Sequence, residues 1–247
     1  MGFSGKECLV NRTEWNQLAD SFEELVCDVA VDETSALLER FVDTLRPTPR
    51  KSVLVDLGCG IGSFILKFGN RFREIVGVEY APRIIARAKE RCAAIEGVEW
   101  LTMDAARAAK KIGARADLTV CLNVITSASA PVRNAQWAAV ASVTKPGGHA
   151  LLVLPSLESE EMLQTHSRRD TRNTQFEITE SGLVETEGSW QKHYRRDELA
   201  QIGSGQGLVM KRIDRIVSPW SRTGMRKPRT GEWENPWDWI CLARRSA

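Results

Sequence analysis

Apolar residues recur at two different periods along the chain, and the alternation between the periods orders the elements. Trp15, Leu18, Ala19, Phe22, Leu25, Val26 and Val29 follow helical spacing, as do Leu37, Leu38, Phe41, Val42 and Leu45 before Pro47 and Pro49 end the pattern. Two amphipathic helices are expected ahead of the main fold. The β-branched run 52–57 predicts a strand, followed by a glycine-rich turn, a helix from near Ser63 and a second strand over 74–79. That is a βαβ unit of about 30 residues. Pro82 suits the first turn of the next helix, whose apolar positions are Ile84, Ile85, Ala88 and Cys92. Strands at 98–101, 118–122 and 149–154 follow, separated by a helix over 105–112 and one carrying Trp137 and Val140. From 155 to 207 the pattern loosens into a polar helix, an irregular stretch rich in Thr and Glu, and a helix over 195–202. Runs 209–216 and 239–243 then read as a closing, antiparallel strand pair. The order predicts an α/β fold: a doubly wound, mostly parallel seven-stranded sheet with a small helical cap.

Composition narrows the class. The chain has 247 residues, 43% hydrophobic and 27% charged, ordinary globular proportions that exclude a disordered or fibrous chain. The formal net charge of +2 lacks the basic excess of a protein that coats nucleic acid. No run approaches the roughly 20 apolar residues of a membrane span, and the start lacks an apolar leader, so a soluble, cytoplasmic protein is expected. Lys6 stands where myristoylation wants Ser or Thr, and the sequon at Asn11 is silent without secretion. Cys8, Cys27, Cys59, Cys92, Cys121 and Cys241 are scattered without a C-x-x-C pair; reduced, half-buried thiols are expected, and no metal site.

The informative stretch is Val53-Leu54-Val55-Asp56-Leu57-Gly58-Cys59-Gly60-Ile61-Gly62-Ser63, a strand entering a turn with glycine at every second position. Glycine lets a ligand approach the backbone with no Cβ in the way. A dinucleotide fingerprint would place its third small residue at Ser63, and here the third glycine comes one position early, at Gly62. The turn therefore favours another adenosine ligand over a nicotinamide dinucleotide. Glu79 ends the second strand at the distance expected of an acid that grips a ribose diol.

On these residues the sequence resembles the class I S-adenosylmethionine-dependent methyltransferases, whose first motif, acidic-x-Gly-x-Gly-x-Gly, is matched by Asp56, Gly58, Gly60 and Gly62 over a likeness spanning about 50–155. The resemblance implies a Rossmann-like methyltransferase fold and S-adenosylmethionine as cofactor, with S-adenosylhomocysteine as product. It implies that Glu79 holds the ribose, Tyr80 lies against the adenosine, and Asp104 accepts from the adenine amine; an ordinary helix cap is the rival reading for Asp104. Asn123 closes the fourth strand, where the family's cofactor carries its methyl group. The block Asn123-Val124-Ile125-Thr126 lacks the Asn-Pro-Pro-Tyr type motif of many base-methylating enzymes, and no Pro-Cys nucleophile is present, so a nucleic-acid acceptor is not expected.

Methyl transfer is an in-line displacement that asks for alignment and a dry pocket. One methyltransferase domain is expected, with a cap at 1–48, a cofactor-binding core at 50–155, a lid at 156–207 and the closing strand pair at 208–247. Trp15 is expected to close over the methionine end of the cofactor. Glu158, His166, Trp190, His193 and Tyr194 are the lid's candidates for substrate contact. His193, with Tyr194 beside it, is the candidate catalytic base because imidazole takes a proton near neutrality. Arg222, Arg226, Lys227 and Arg229 interleave with Trp220, Trp233, Trp237 and Trp239, which reads as a solvated loop over a packed tryptophan cluster or as a grip for an acidic acceptor or RNA. The expected activity is transfer of a methyl group to oxygen, nitrogen or sulfur of a small molecule. The alternatives are a nicotinamide-dependent oxidoreductase on a similar strand-turn-helix and a non-catalytic relative that binds S-adenosylmethionine. The sequence does not specify an oligomeric state.

Overall fold

The computed structural model describes residues 12–22, 29–30, 35–167, 177–186, 188–222, 228–229 and 233–247. Leu25, Val26, Cys8, Cys27, Arg226 and Lys227, named above, lie outside them.

Five parallel strands form the centre: β1 (Val53–Leu57), β2 (Glu74–Glu79), β3 (Val98–Thr102), β4 (Ala116–Leu122) and β5 (Thr144–Pro155). Short antiparallel strands β6 (Glu177–Ile178), β7 (Leu183–Thr186) and β8 (Ser189–Lys192) follow, then β9 (Leu208–Val217) and β10 (Trp237–Arg245). The seven-stranded sheet runs β3-β2-β1-β4-β5-β10-β9, with β10 antiparallel to both β5 and β9. This is the doubly wound order and the closing antiparallel pair expected from the sequence.

Every residue of β1 is buried, because strands flank it on both sides and helices cover both faces. Alternate residues serve opposite cores. Val55, Leu57, Leu152, Leu154, Trp239 and Cys241 face one core, with Trp137 and Val140 of α6 (Ala130–Val143). Leu54, Leu151, Val153, Ile240 and Leu242 face the other, with Leu38, Phe41 and Val42 of α2 (Ser35–Leu45) and Phe64 and Phe68 of α3 (Ser63–Phe68).

The N-terminal segment, α1 (Arg12–Gln17) and the 3₁₀ turn after it, docks on α4 (Pro82–Arg91). Ala19, Phe22 and Trp15 pack on Ile61, Ala81 and Ile84. Arg83 pins the contact: its backbone N–H donates to Asn16 Oδ1 at 2.9 Å and its guanidinium to Asp20 at 2.7 Å.

The loosely patterned region departs from its sequence reading. Helix α7 (Leu157–Ser167) is the expected polar helix, and α8 (Arg196–Gly205) replaces the shorter 195–202. The supposed irregular stretch between them holds the sheet β6-β7-β8, anchored to the β4–α6 link by a bridge of Ser127 with Gln191 and by Lys192 N–H donating to Thr126 O at 2.8 Å. The expected helix over 105–112 splits into a 3₁₀ turn and α5 (Ala108–Ile112). Among the described residues no helix is long and apolar enough to cross a membrane.

Candidate functional site

β2 and β3 lie to one side of β1, and β4 and β5 to the other, so the crossovers part above its carboxyl end. A cavity of about 510 Å³ opens there, within the roughly 300–1,000 Å³ of small-ligand sites. It is lined by the turn after β1, the ends of β2 and β4, the N-terminal segment and β8.

Gly58, Gly60 and Gly62 all have left-handed backbone, with φ of 75°, 51° and 78°. The turn is held by Gly58 and Cys59 N–H groups donating to Val78 O at 2.8 and 2.9 Å. The three glycines answer to different neighbours. A Cβ on Gly58 would stand 2.3 Å from Val124 Cγ2, and one on Gly62 would stand 2.8 Å from Cys92 Sγ; both pack against protein. Only at Gly60 does the added atom meet the N-terminal segment over the cavity, 3.0 Å from Phe22 Cζ. At all three glycines the space a Cβ would need is taken by a protein side chain, and at Gly60 that side chain belongs to the N-terminal segment over the cavity.

Glu79 is buried at the end of β2. Its Oε2 accepts from Gly60 N–H at 3.3 Å and its Oε1 from Ala81 N–H at 2.9 Å, tying the turn to β2 and to the start of α4. Burial pushes its carboxyl up from the usual range, against the lowering effect of these backbone donors. Asp56, 2% exposed, also lines the cavity, as do Tyr80, Met103 and Asp104. Asp104 is exposed and caps the following 3₁₀ turn, its Oδ1 accepting from Ala106 N–H at 2.9 Å. The capping reading therefore holds, and the same residue borders the cavity. Trp15 lines the cavity too, its ring centroid 6.1 Å from that of Phe22.

Asn123 leaves β4 with φ of 54°, left-handed backbone that Asn tolerates better than most residues. Its buried Oδ1 has no hydrogen-bond partner among the described residues. Three further titratable groups, none of them lining the cavity, have shifted titration. Burial pushes the Asp238 carboxyl up to about 6, and burial together with the Asp238 charge pushes Glu160 up to about 7. His193 Nδ1 lies 3.6 Å from Glu160 Oε2, and burial pushes the imidazole down to about 4.

The two catalytic candidates are not brought to the cavity: neither His193 nor Tyr194 is among its lining residues. The Tyr194 hydroxyl donates to Ile125 O at 2.7 Å, and its ring meets Trp137 edge-on; burial pushes its hydroxyl up. Glu158 accepts from Arg196 N–H at 2.9 Å, and His166 packs edge-on to Trp220 and Trp233. Trp220, Trp237 and Trp239 are buried, as the packed-cluster reading expects. Of the lid candidates, Trp190 alone lines the cavity, beside Ser189 and Gln191 of β8 and Ser127, Val132 and Gln136 of the β4–α6 region. Gln136 Oε1 is buried with no hydrogen-bond partner among the described residues. Sequence reasoning missed these five. Ser127 and Gln136 follow Asn123 closely, which was an available signal; Ser189 and Gln191 offered none while β8 was unrecognised. Cys59, Cys92, Cys121 and Cys241 are free and buried, and no metal-binding cluster occurs among the described residues.

A family model described as a methyltransferase domain matches residues 54–148. Among solved structures, the chain is similar to 1,6-didemethyltoxoflavin-N1-methyltransferase of Burkholderia thailandensis, bound to 1,6-didemethyltoxoflavin and S-adenosylhomocysteine. The TM-score is 0.63 at 14% identity, over 96% of this chain and 87% of that one. Magnesium protoporphyrin IX methyltransferase of Synechocystis PCC 6803, bound to S-adenosylhomocysteine, gives a TM-score of 0.64 at 15% identity, over 95% and 98%. The 23S rRNA (uracil(1939)-C(5))-methyltransferase of Shewanella sp. (strain MR-7) is 37% identical over 59 residues, 24% of this chain and 13% of that protein. The chain thus spans only a small fraction of the length of the curated relatives it matches. Residues 54–148 match a methyltransferase domain, and the chain shares its fold with solved methyltransferases that bind S-adenosylhomocysteine.

Proposed function

We propose that the protein binds S-adenosylmethionine in the cavity above β1 and transfers its methyl group to a small molecule held between β8 and α6. The observation that carries this reading is the Glu79 carboxylate, fixed by the Gly60 and Ala81 N–H groups at the mouth of the glycine turn. Two acceptor oxygens anchored in this way present a rigid grip for neighbouring sugar hydroxyls. The residues present fit the cofactor. Gly60 brings backbone to the cavity, Asp104 keeps one carboxylate oxygen beyond its cap, and Asn123 brings an unpartnered amide oxygen to the wall. When bound, S-adenosylmethionine supplies an electrophilic methyl on a sulfonium.

The chain's own residues align and enclose. Trp15 and Phe22 of the N-terminal segment border the turn, and Trp190, Val132 and Gln136 border the acceptor end, so water is excluded from both sides. In this reading residues 1–48 act as cap and 156–207 as lid of one methyltransferase domain. His193 and Tyr194 support the lid's packing and do not carry the acceptor's proton. A neutral amine or a thiolate, entering with a free electron pair, needs no general base at the moment of transfer, which suits an acceptor end bordered by Trp190, Val132, Gln136, Ser189 and Gln191.

The matches to rRNA methyltransferases favour one other reading, a nucleic-acid acceptor. Methylation at a uracil carbon calls for a thiolate nucleophile to activate the ring. The cavity's Cys59 is buried, and burial with the charges of Asp56 and Glu79 pushes its thiol well up, which weighs against that chemistry here.

Calorimetry with S-adenosylhomocysteine and NADH tests the cofactor: binding of the former alone is expected, and NADH binding with no response to S-adenosylhomocysteine reverses the assignment. Mass spectrometry of cell extract incubated with the protein and methyl-labelled S-adenosylmethionine then identifies the acceptor. Label in a low-mass compound is expected, whereas label confined to RNA sinks the small-molecule reading.

A further inference from the structure

The two ends of the cavity differ in charge. Its ionic side chains among the described lining residues are Arg12, Asp56, Glu79 and Asp104, which come from the N-terminal segment, from β1 and from the ends of β2 and β3. The end of β4, α6 and β8 contribute none. Two cations that neighbour this wall in sequence spend their charge elsewhere. Arg133, beside Val132, donates to Ser127 O and Ala128 O at 2.6 and 2.7 Å. Lys192, beside Gln191, donates to Ser181 O and to the Glu198 carboxylate at 2.9 and 2.8 Å. The bridge of Ser127 with Gln191 and the Lys192 N–H bond to Thr126 O hold β8 against the β4–α6 link, so the uncharged wall is fixed as one piece. Within it one acceptor atom is left over. Val132 and Gln136, one helical turn apart, face the cavity from α6, and Gln136 Oε1 is shielded from water without accepting a hydrogen bond from any described residue. A carbonyl oxygen in that state costs free energy that a donor arriving with a ligand recovers.

We propose that the methyl acceptor is an uncharged aromatic amine, its ring against Trp190 and one amino N–H donated to Gln136 Oε1. This deepens the small-molecule reading above and rests on it. Charge selects against the other acceptors. A carboxylate, phosphate or thiolate finds no cation among the described residues lining that end, and an aliphatic ammonium finds no carboxylate there, so each would leave an unpaired ion out of water. Proton traffic selects for nitrogen. No described residue lining that end is a carboxylate, imidazole, thiol or amine, so an alcohol has no base to take its proton at the moment of attack. An aromatic amine brings its own electron pair and keeps an N–H for Gln136. Its pair forms the nitrogen–carbon bond, the carbon–sulfur pair stays on sulfur, and the extra proton on nitrogen then leaves to water. The Trp190 indole favours a ring, because aromatic pairs gain from offset or edge-on contact beyond the area they bury.

The test uses the full chain saturated with S-adenosylhomocysteine and titrated at neutral pH with four probes of similar shape, followed by naphthalene fluorescence. The probes are naphthylamine, methylnaphthalene, naphthoate and naphthylmethylammonium. Naphthylamine is expected to bind at least about fivefold tighter than methylnaphthalene, the scale of one recovered hydrogen bond. It is expected to bind more than about tenfold tighter than either ion, which would sit unpaired. Gln136→Leu keeps an apolar side chain of similar size and removes the orphaned oxygen. It is expected to erase the advantage of the amine over methylnaphthalene and, in the ligand-free protein, to raise the melting temperature. Gln136→Glu is expected to reverse the charge order, with naphthylmethylammonium the tightest of the four. Should both variants fail to fold, the four affinities of the unsubstituted protein decide. Equal affinity for the amine and methylnaphthalene, tighter binding of either ion, no binding of the amine, or an amine preference that survives Gln136→Leu overturns the proposal. If the protein takes up no S-adenosylhomocysteine, the cofactor reading falls, and this one with it; uptake of S-adenosylhomocysteine with no preference among the probes sinks this one alone.

Discussion

Gly58 and Glu79 sit about twenty residues apart and fail in different ways when changed. Gly58→Ala adds a Cβ 2.3 Å from Val124 Cγ2 at φ of 75°, so strain and overpacking add. A loss of about 2 kcal/mol or more in unfolding free energy is expected, read as a lowered melting temperature. Glu79→Ala removes the grip without that clash. S-adenosylhomocysteine affinity is expected to fall by about 1–3 kcal/mol, the scale of a hydrogen bond to a charged group, and unchanged affinity would sink the ribose assignment. The glycine spacing and the strand-end acid were legible because both follow from local geometry. What local sequence did not reveal is that the three glycines yield space to the side chains of Val124, Phe22 and Cys92. Nor did it show that His193 is walled in: a histidine's neighbours come from α7 and the β5–α7 junction, more than 30 residues away in the chain.

At the level of elements, β1, β2, β4 and β5 were readable because strands covered on both faces carry continuous apolar runs, and buried runs leave little ambiguity of register. The small sheet β6-β7-β8 was not readable. Its strands are two to four residues long, carry Glu, Thr and Gln, and owe their pairing to attachment at Ser127 and Thr126. Yet β8 supplies Trp190 to the cavity. Trp190→Ala is expected to raise KM for the acceptor several-fold while leaving S-adenosylhomocysteine affinity within about twofold, since an aromatic wall contributes mainly contact area. A matched loss of both affinities would place β8 at the cofactor end instead. On the other side, Arg83→Ala removes the guanidinium contacts to Asn16 O and Asp20 while keeping the backbone bond, which loosens the N-terminal segment on α4, and faster dissociation of S-adenosylhomocysteine in stopped-flow displacement is the expected result.

For the whole molecule, the neighbouring His193 and Glu160 make stability depend on pH in opposing directions. The folded His193 value of about 4 lies below its unfolded value, so between about pH 4 and 6.5 the unfolded chain binds the extra proton and acid destabilises. Glu160, raised to about 7, acts the other way: its favourable contribution is present at low pH and is lost as pH rises through 7. Thermal melts of His193→Gln should therefore improve relative to the unsubstituted protein at pH near 5 compared with pH near 7.5. Those of Glu160→Gln should improve most at the higher pH. Each difference is expected to reach about 2 kcal/mol. Melts that shift equally at both pH values would show that these groups are not enclosed as described.

The last strand of the large sheet in chain order is not at its margin, because β10 lies between β5 and β9. A ribosome therefore delivers residues 208–217 before the strand that must separate them from β5. Until residues 237–245 emerge, the β5 flank of the nascent chain is an open ladder of unpaired amides, a ready template for mispairing. Newly made protein is thus expected to gain protection of the β5 amides in one late step, when residues 237–245 insert between the two waiting strands.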